Sequence, residues 1–130
     1  MTQEQKDLLL KDLCGRLPYR VKVQIKNEIV VLDSICDDDG YHFNFIGEDK
    51  EGVNIENIKP YLFPLSSMTV EQRCKAQNLL PNKCEISFIN SKITFYGEDC
   101  CEVKLEQFDK LFKFFDSQHV DYRGLIPMGL

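Results

Sequence analysis

The stretch "VKVQIKNEIVVLDSICDDDGYHFNF", residues 21–45, decides the predicted fold. In "VKVQI" (21–25) apolar residues alternate with polar ones, which is typical of a strand with one buried face. Asn27 and the "DDDG" run (37–40) supply turn-forming residues, and a new apolar run follows each of them. The stretch therefore predicts an antiparallel meander of three strands.

Two capping boxes predict where the first two helices begin. Each box is a threonine followed three residues later by a glutamine, and the two are Thr2 with Gln5 and Thr69 with Gln72. We expect the first helix over about residues 3–14, because Gly15 is a natural stop, and we expect Pro81 to end the second.

Two further elements follow the second helix. "CEISFINSKITFYG" (84–97) predicts a hairpin that turns at Asn90 and Ser91. "KLEQFDKLFKFFDSQH" (104–119) predicts a long amphipathic helix with one apolar stripe and a charged opposite face. The stripe comprises Leu105, Phe108, Leu111, Phe112 and Phe115, and the charged face comprises Lys104, Glu106, Lys110 and Lys113.

The end of the chain is rich in apolar side chains, so we expect it to dock on the fold. These residues are Val120, Tyr122, Leu125, Ile126 and Met128, and each is worth about 1.5–3 kcal/mol when fully buried. The complete prediction is one α+β domain over residues 1–130. Its meander is either a small sheet or an SH3-like partial barrel.

Composition and charge limit the classes of function. The apolar runs stay far below the ~20 residues that cross a bilayer, and the N-terminal stretch lacks the features of a signal peptide, which predicts a cytoplasmic protein without membrane contact. The net charge is −5, and residues 27–57 carry nine acids against one base, which makes them the acidic pole. This balance argues against nucleic-acid binding.

The six cysteines show no metal-ligand spacing, and we expect them to be free thiols. Cys14 falls on an apolar helix face and Cys36 ends an apolar strand, so both are predicted to be buried. At least one of the adjacent Cys100 and Cys101 is predicted to be exposed and oxidisable.

Catalytic and cofactor motifs fail when they are tested against the sequence. "DDDG" does not fit a calcium loop, because Ile35 would take the first ligand position and Ile46 the position of the bidentate glutamate. The seven glycines form no phosphate-binding loop. His42 and His119 are the only candidate general bases, and neither lies beside a nucleophile or metal motif. We therefore expect no cofactor and no metal site.

Two sets of residues are candidates for binding. Arg16, Arg20 and Lys22 are candidate phosphate contacts on a basic face. The other set comprises Tyr61, Leu62 and Phe63 between two prolines, and Tyr122 and Arg123 near the C-terminus. For Arg123 two roles stay open: an ion pair with Asp121, or a guanidinium presented to a partner.

Three blocks of the sequence, which make up about a third of the chain, are informative together: "KDLCGRLPYRVKV" (11–23), "IKPYLFPLSSMT" (58–69) and "HVDYRGLIPMGL" (119–130). They resemble a family of small uncharacterised proteins from phages and prophages of gut Bacteroidales. The family has no established activity, so the resemblance implies a context and no functional residue. That context is a phage accessory gene product acting in a bacterial cytoplasm.

The leading hypothesis is a non-catalytic binding module that acts on a host or phage protein. The alternative is a small-ligand or nucleotide-sequestering protein that uses the basic face. A third hypothesis is an enzyme that uses His42 or His119. These three classes differ in the side chains that must meet in the folded chain.

Overall fold

A computed structural model describes residues 1–81, 83–89, 92–98 and 103–130, and it confirms the α+β class. The α-helices of the described residues are α1 (Gln3–Arg16), α2 (Val70–Gln77) and α3 (Leu105–Ser117). The strands are β1 (Lys22–Ile25), β2 (Glu28–Asp37), β3 (Tyr41–Phe45), β4 (Ile58–Pro60), β5 (Phe63–Pro64), β6 (Glu85–Ile89), β7 (Lys92–Tyr96) and β8 (Val120–Asp121).

The chain divides into two compact units. Unit 1 comprises Met1–Tyr61 with Pro127–Leu130, and unit 2 comprises Leu62–Ile126. A division by contacts does not say whether the units unfold together. One domain over residues 1–130 therefore stays a prediction.

Unit 1 contains the predicted meander. Its sheet has the strand order β3-β2-β1-β4, and all three strand pairs are antiparallel. Lys26 turns the chain between β1 and β2 at φ 55°, and Asp39 and Gly40 turn it between β2 and β3 at φ 53° and 119°. Aspartate tolerates the left-handed region better than most residues, and glycine enters it without strain, which explains the use of "DDDG" as a turn.

A β-bulge in β2 reverses the side that the strand presents to the core. The register shifts between Leu32 and Ser34, so that Leu32 faces Phe45 while Ile35 faces Phe43. The extra residue, Asp33, is exposed. Because the bulge changes the parity of the strand, Ser34 and Cys36 face solvent although the sequence suggested an apolar strand end.

Helix α1 continues two residues beyond its predicted end. The Thr2 and Gln5 capping box is confirmed, but the helix runs through Gly15 to Arg16. The Arg16 guanidinium donates two hydrogen bonds to Asp12, at 2.8 and 2.9 Å, and both side chains are fully buried. This pair lies one helical turn apart, so it requires helical backbone across Gly15.

The burial predicted for two cysteines is wrong. Cys14 and Cys36 are exposed, as is Cys74, whereas Cys84 is buried. Cys14 lies on the opposite side of α1 from the buried Leu9, Leu13 and Arg16, although partial cover of its thiol raises its pKa. Cys100 and Cys101 lie outside the described residues, so the prediction about them stays untested.

Unit 2 packs α2, α3 and the β6–β7 hairpin around one apolar cluster. Its buried members are Leu65, Met68, Ala76, Leu80, Cys84, Ile86, Leu111, Phe115 and Val120. The second capping box is confirmed, but α2 ends at Gln77, four residues before Pro81. The hairpin pairs from Glu85 with Tyr96 to Ile89 with Lys92, and its predicted turn residues lie outside the described part.

The apolar stripe of α3 is only partly buried. Leu111 and Phe115 are fully buried, but Leu105 is 87% exposed. The C-terminal segment differs from its prediction in the same way. Val120 and Leu125 are buried, while Ile126 and Met128 are exposed, so only the first half of the segment is interior material.

Candidate functional site

The "HVDYRGLI" segment (119–126) is held by the carboxylate of Asp121. Each carboxylate oxygen accepts one backbone N–H, from Leu125 and from Ile126, both at 2.8 Å. Asp121 and Leu125 are buried, so the bond to the Leu125 amide lies away from water. Charge-assisted bonds of this kind are among the stronger ones in proteins. Asp121 therefore fixes the turn that carries Tyr122 and Arg123.

We predict that Asp121→Asn lowers the free energy of unfolding by about 1.5–3 kcal/mol, because an amide offers one acceptor where the carboxylate offers two. Urea unfolding measures the loss, and faster hydrogen exchange at the Leu125 and Ile126 amides locates it. The control is Asp109→Asn, which removes an exposed pair with Lys113. Equal losses in the two variants would contradict the assigned role of Asp121.

Tyr122 and Arg123 belong to an internal stack in unit 2. The Tyr122 ring lies 5.4 Å from the Phe112 ring and nearly parallel to it, and the Arg123 guanidinium lies 4.2 Å from the Tyr122 centroid. Arg123 also pairs with Asp116 at 2.9 Å. The suggested pair with Asp121 is therefore wrong, because the Asp121 oxygens bind backbone. Arg123 is thus held by the Tyr122 ring and the Asp116 carboxylate, and its role in binding stays a prediction.

Two of the three family-like blocks meet within unit 2. β5, from the "IKPYLFPLSSMT" block, pairs in parallel with β8, and the Phe63 N–H donates to the His119 carbonyl at 2.9 Å. Phe63 is half exposed and Leu62 is partly buried. Tyr61 is the last residue of this part of unit 1, is also half exposed, and donates its N–H to Lys22. Their role in binding stays a prediction.

The proposed basic face loses one of its three members. Arg16 is fully buried against Asp12, whereas Arg20 and Lys22 are exposed. The candidate phosphate contact at Arg16 is therefore corrected, because a guanidinium inside the core cannot meet a ligand at the surface. Sequence alone did not show this, since the helix was predicted to stop before Arg16.

His42 lies on the solvent face of the β2–β3 ladder, beside residues that the sequence did not bring together. It faces Cys36 across the ladder, and Asn44 faces Ser34. The Asn44 amide is 3.8 Å from the Cys36 sulfur and 2.9 Å from the Ser34 hydroxyl. The His42 Nε2 atom is 2.8 Å from the Asp38 carbonyl oxygen, which places the ring proton on Nε2.

Cys36 and His42 face each other across the ladder but bind other groups. All of unit 1 lies within the described residues, and there no hydrogen bond joins the Cys36 sulfur to the His42 ring. The ring bonds a backbone carbonyl instead of an orienting carboxylate. His119 follows α3, at φ 53°, and its backbone serves the β5–β8 junction. The enzyme hypothesis therefore stays untested.

A cleft of about 760 Å³ lies in unit 1 between β3 and the loop that follows it. One wall is residues 41–44 and the other is residues 48–55. Glu48, Asp49 and Glu51 line it, and Tyr41 is half exposed at its side. We call this the acidic cleft. Its charge comes from the acidic pole of the sequence.

Lys50 lines the same cleft but does not neutralise it. Its ammonium group binds Glu28 and lies 3.7 Å from Glu48. The hydrogen bond between Lys50 and Glu28 lowers the pKa of Glu28 and raises the pKa of Lys50, so both stay charged at neutral pH. Asp49 and Glu51 are exposed and have no ion pair among the described residues. The cleft therefore keeps a negative potential.

Other kinds of site were sought in the described residues. There, no group of three or more histidine, cysteine or acidic side chains is placed to hold a metal ion. None of the described helices is both long and apolar enough to cross a membrane. No protein-family model, curated protein or solved structure matches the chain.

Proposed function

We propose that the protein is a non-catalytic binding module whose acidic cleft takes a basic segment of a partner protein. The observation that carries the proposal is the cleft itself, in which acids without ion pairs stand beside an exposed tyrosine. Carboxylates attract lysine and arginine, and an exposed tyrosine such as Tyr41 can bind the same cations through its ring. Charge and shape thus favour one class of ligand.

The same charges separate this proposal from the nucleotide alternative. A nucleotide carries phosphates that the acidic cleft repels, and the suggested basic face has lost Arg16 to the core. We expect no stabilisation in a thermal-shift panel of nucleotides, whereas a true ligand at 100 times its Kd adds about 2.7 kcal/mol. A clear shift with any nucleotide would favour the alternative.

The biological context of the proposal rests on the three family-like blocks. They support a phage or prophage accessory protein that acts in the bacterial cytoplasm on a host or phage protein. The net charge of −5 supports a protein partner over nucleic acid. Within this context the partner supplies the basic surface.

We predict that neutralising the acidic cleft weakens binding of a basic peptide. The probe is a synthetic nonapeptide of arginine and leucine, with a glutamate-for-arginine version as the negative ligand. Glu48→Gln, Asp49→Asn and Glu51→Gln together should raise the Kd about tenfold, since each exposed charge pair is worth about 0.2–1 kcal/mol. Calorimetry at two salt concentrations measures the Kd, which should also rise with salt.

The matched control changes the net charge by the same amount in unit 2. Glu71→Gln, Glu106→Gln and Asp109→Asn remove three exposed acids, each paired with a lysine on its own helix. This variant should keep the Kd within about twofold. If both triple variants weaken binding equally, the peptide senses only net charge and the cleft is not the site. Tyr61→Ala and Phe63→Ala test the other predicted surface in the same assay.

A further inference from the structure

Arg73, on α2 of unit 2, is a partly buried cation whose Nε atom meets no acceptor in the described part of the chain. Its guanidinium lies 5.6 Å from the centroid of the Phe88 ring, and its Nε atom is buried with no hydrogen-bond partner. In the described residues it forms no ion pair, whereas Lys75, two residues later, is exposed and pairs with Glu71. A buried guanidinium donor normally has an acceptor. The structure thus offers one strong donor group for an anion.

Arg73 lines a groove of about 500 Å³ between α2 and β6. The helix side follows one face at helical spacing, from Val70 through Arg73 and Gln77. Val70 is 79% exposed on this face. The Gln77 side chain donates to the Cys84 carbonyl and accepts the Ile86 N–H at 3.1 Å, which fixes the distance between the two walls. Gln77 therefore joins the α2 wall to the β6 wall of the groove.

The strand side of the groove is an open edge. Within the described residues β6 pairs only with β7, in a two-stranded sheet. The Ile86 N–H points away from β7, because it donates to Gln77. Backbone groups alternate along an antiparallel strand, so Phe88, two residues on, also directs its N–H toward the groove. Because Gln77 occupies the Ile86 N–H, the part of this edge that can take another strand is at Phe88.

Val70 and Tyr96 supply apolar surface at the rim of the groove. Tyr96 is half exposed, and its hydroxyl donates to Glu85, the residue that it faces across the hairpin. This bond raises the pKa of Tyr96, so the phenol stays neutral at physiological pH. The cation inside the groove is thus framed by Val70 and Tyr96.

We propose that this groove binds an extended acidic segment of a partner protein, which adds a strand to β6 and places a carboxylate on Arg73. A guanidinium in contact with an aromatic ring can still donate its terminal N–H groups, and two of them match the two oxygens of a carboxylate. Apolar residues beside the acid would pack on Val70 and Tyr96. This surface lies in unit 2 and selects the charge opposite to that of the acidic cleft, so it does not depend on the function proposed above.

The test begins with a display library of random dodecapeptides selected against the whole protein. The enriched peptides should share an acid flanked by apolar residues. For a synthetic selected peptide, Arg73→Gln should raise the Kd at least about tenfold, Arg73→Lys should recover only part of the affinity, and Lys75→Gln should change it less than about twofold. Lys75→Gln is the matched control, because it removes the same charge from the same helix.

Two readouts keep the test independent of any effect of Arg73 on folding. Changing the acid of the peptide to its amide should raise the Kd for the unaltered protein by the same factor as Arg73→Gln does. The same change in the peptide should not raise the Kd of the Arg73→Gln variant further. Hydrogen exchange at the Phe88 amide should slow at least about tenfold on binding, as strand addition requires. Selected peptides without an acid, equal effects of the Arg73 and Lys75 variants, or unchanged exchange at Phe88 would overturn the proposal.

Discussion

Replacing Asp12 by Asn should lower the free energy of unfolding by about 3–5 kcal/mol, a loss large enough to unfold much of the protein. Asp12 and Arg16 are both fully buried in α1 and share two hydrogen bonds. The substitution keeps the shape of the side chain but removes its charge. It therefore leaves a guanidinium in the core without its counter-charge, which is the costly way to break such a pair.

Chemical unfolding followed by circular dichroism measures this loss, and two comparisons give it meaning. Asp7 lies on the exposed side of the same helix, where its carboxylate accepts a hydrogen bond from the Gln3 amide, so Asp7→Asn should cost less than about 0.5 kcal/mol. Asp12→Leu combined with Arg16→Met should cost less than the two single changes added together. Additive losses would mean that the pair is not coupled.

The Asp12–Arg16 pair also shows what the sequence determined and what it did not. Alternation in "VKVQI" and the two capping boxes depend on neighbours one to four residues away, and the structure confirms the elements that they predicted. Gly15 looked like a stop by the same local rules. Helical backbone at Gly15 brings Arg16 within reach of Asp12, and the sequence did not show that the core buries both of these side chains.

Contacts between distant residues account for the other differences. Asp33 becomes a bulge because β3 has one residue fewer to pair with β2, and the bulge turns Cys36 outward. Arg123 pairs with Asp116, which the end of α3 and the Asp121 turn bring within reach. None of these outcomes follows from a periodicity, since each depends on which segments of the chain pack together.

The two proposed binding surfaces differ in how far the sequence predicted them. The acidic pole was visible as a charge count over residues 27–57, and folding added the walls of a cleft and an exposed tyrosine. Arg73 carried no signal, because a lone arginine in a short helix is ordinary. Its partner ring, Phe88, comes fifteen residues later on a strand whose helix-facing edge only the fold reveals.

Replacing Phe115 by Ala should lower the free energy of unfolding by about 3–5 kcal/mol, whereas Leu105→Ala should change it by less than about 0.5 kcal/mol. The sequence placed both residues on one stripe of α3, but Phe115 is fully buried and Leu105 is 87% exposed. The Phe115 ring lies 6.2 Å from Phe88 and 5.5 Å from Tyr122, so its removal opens a cavity between the hairpin and the C-terminal segment.

Urea unfolding of the two variants measures this difference, and the near-ultraviolet dichroism of the aromatic side chains reports the loss of packing. The contrast arises because the apolar periodicity shows which side of the helix faces the core. It does not show which residues along that side are covered by other elements. Leu105 lies at the first turn of α3, where the helix begins, while Phe115 lies under the β6–β7 hairpin. Similar losses in both variants would mean that the helix buries its whole stripe, as the sequence alone predicts.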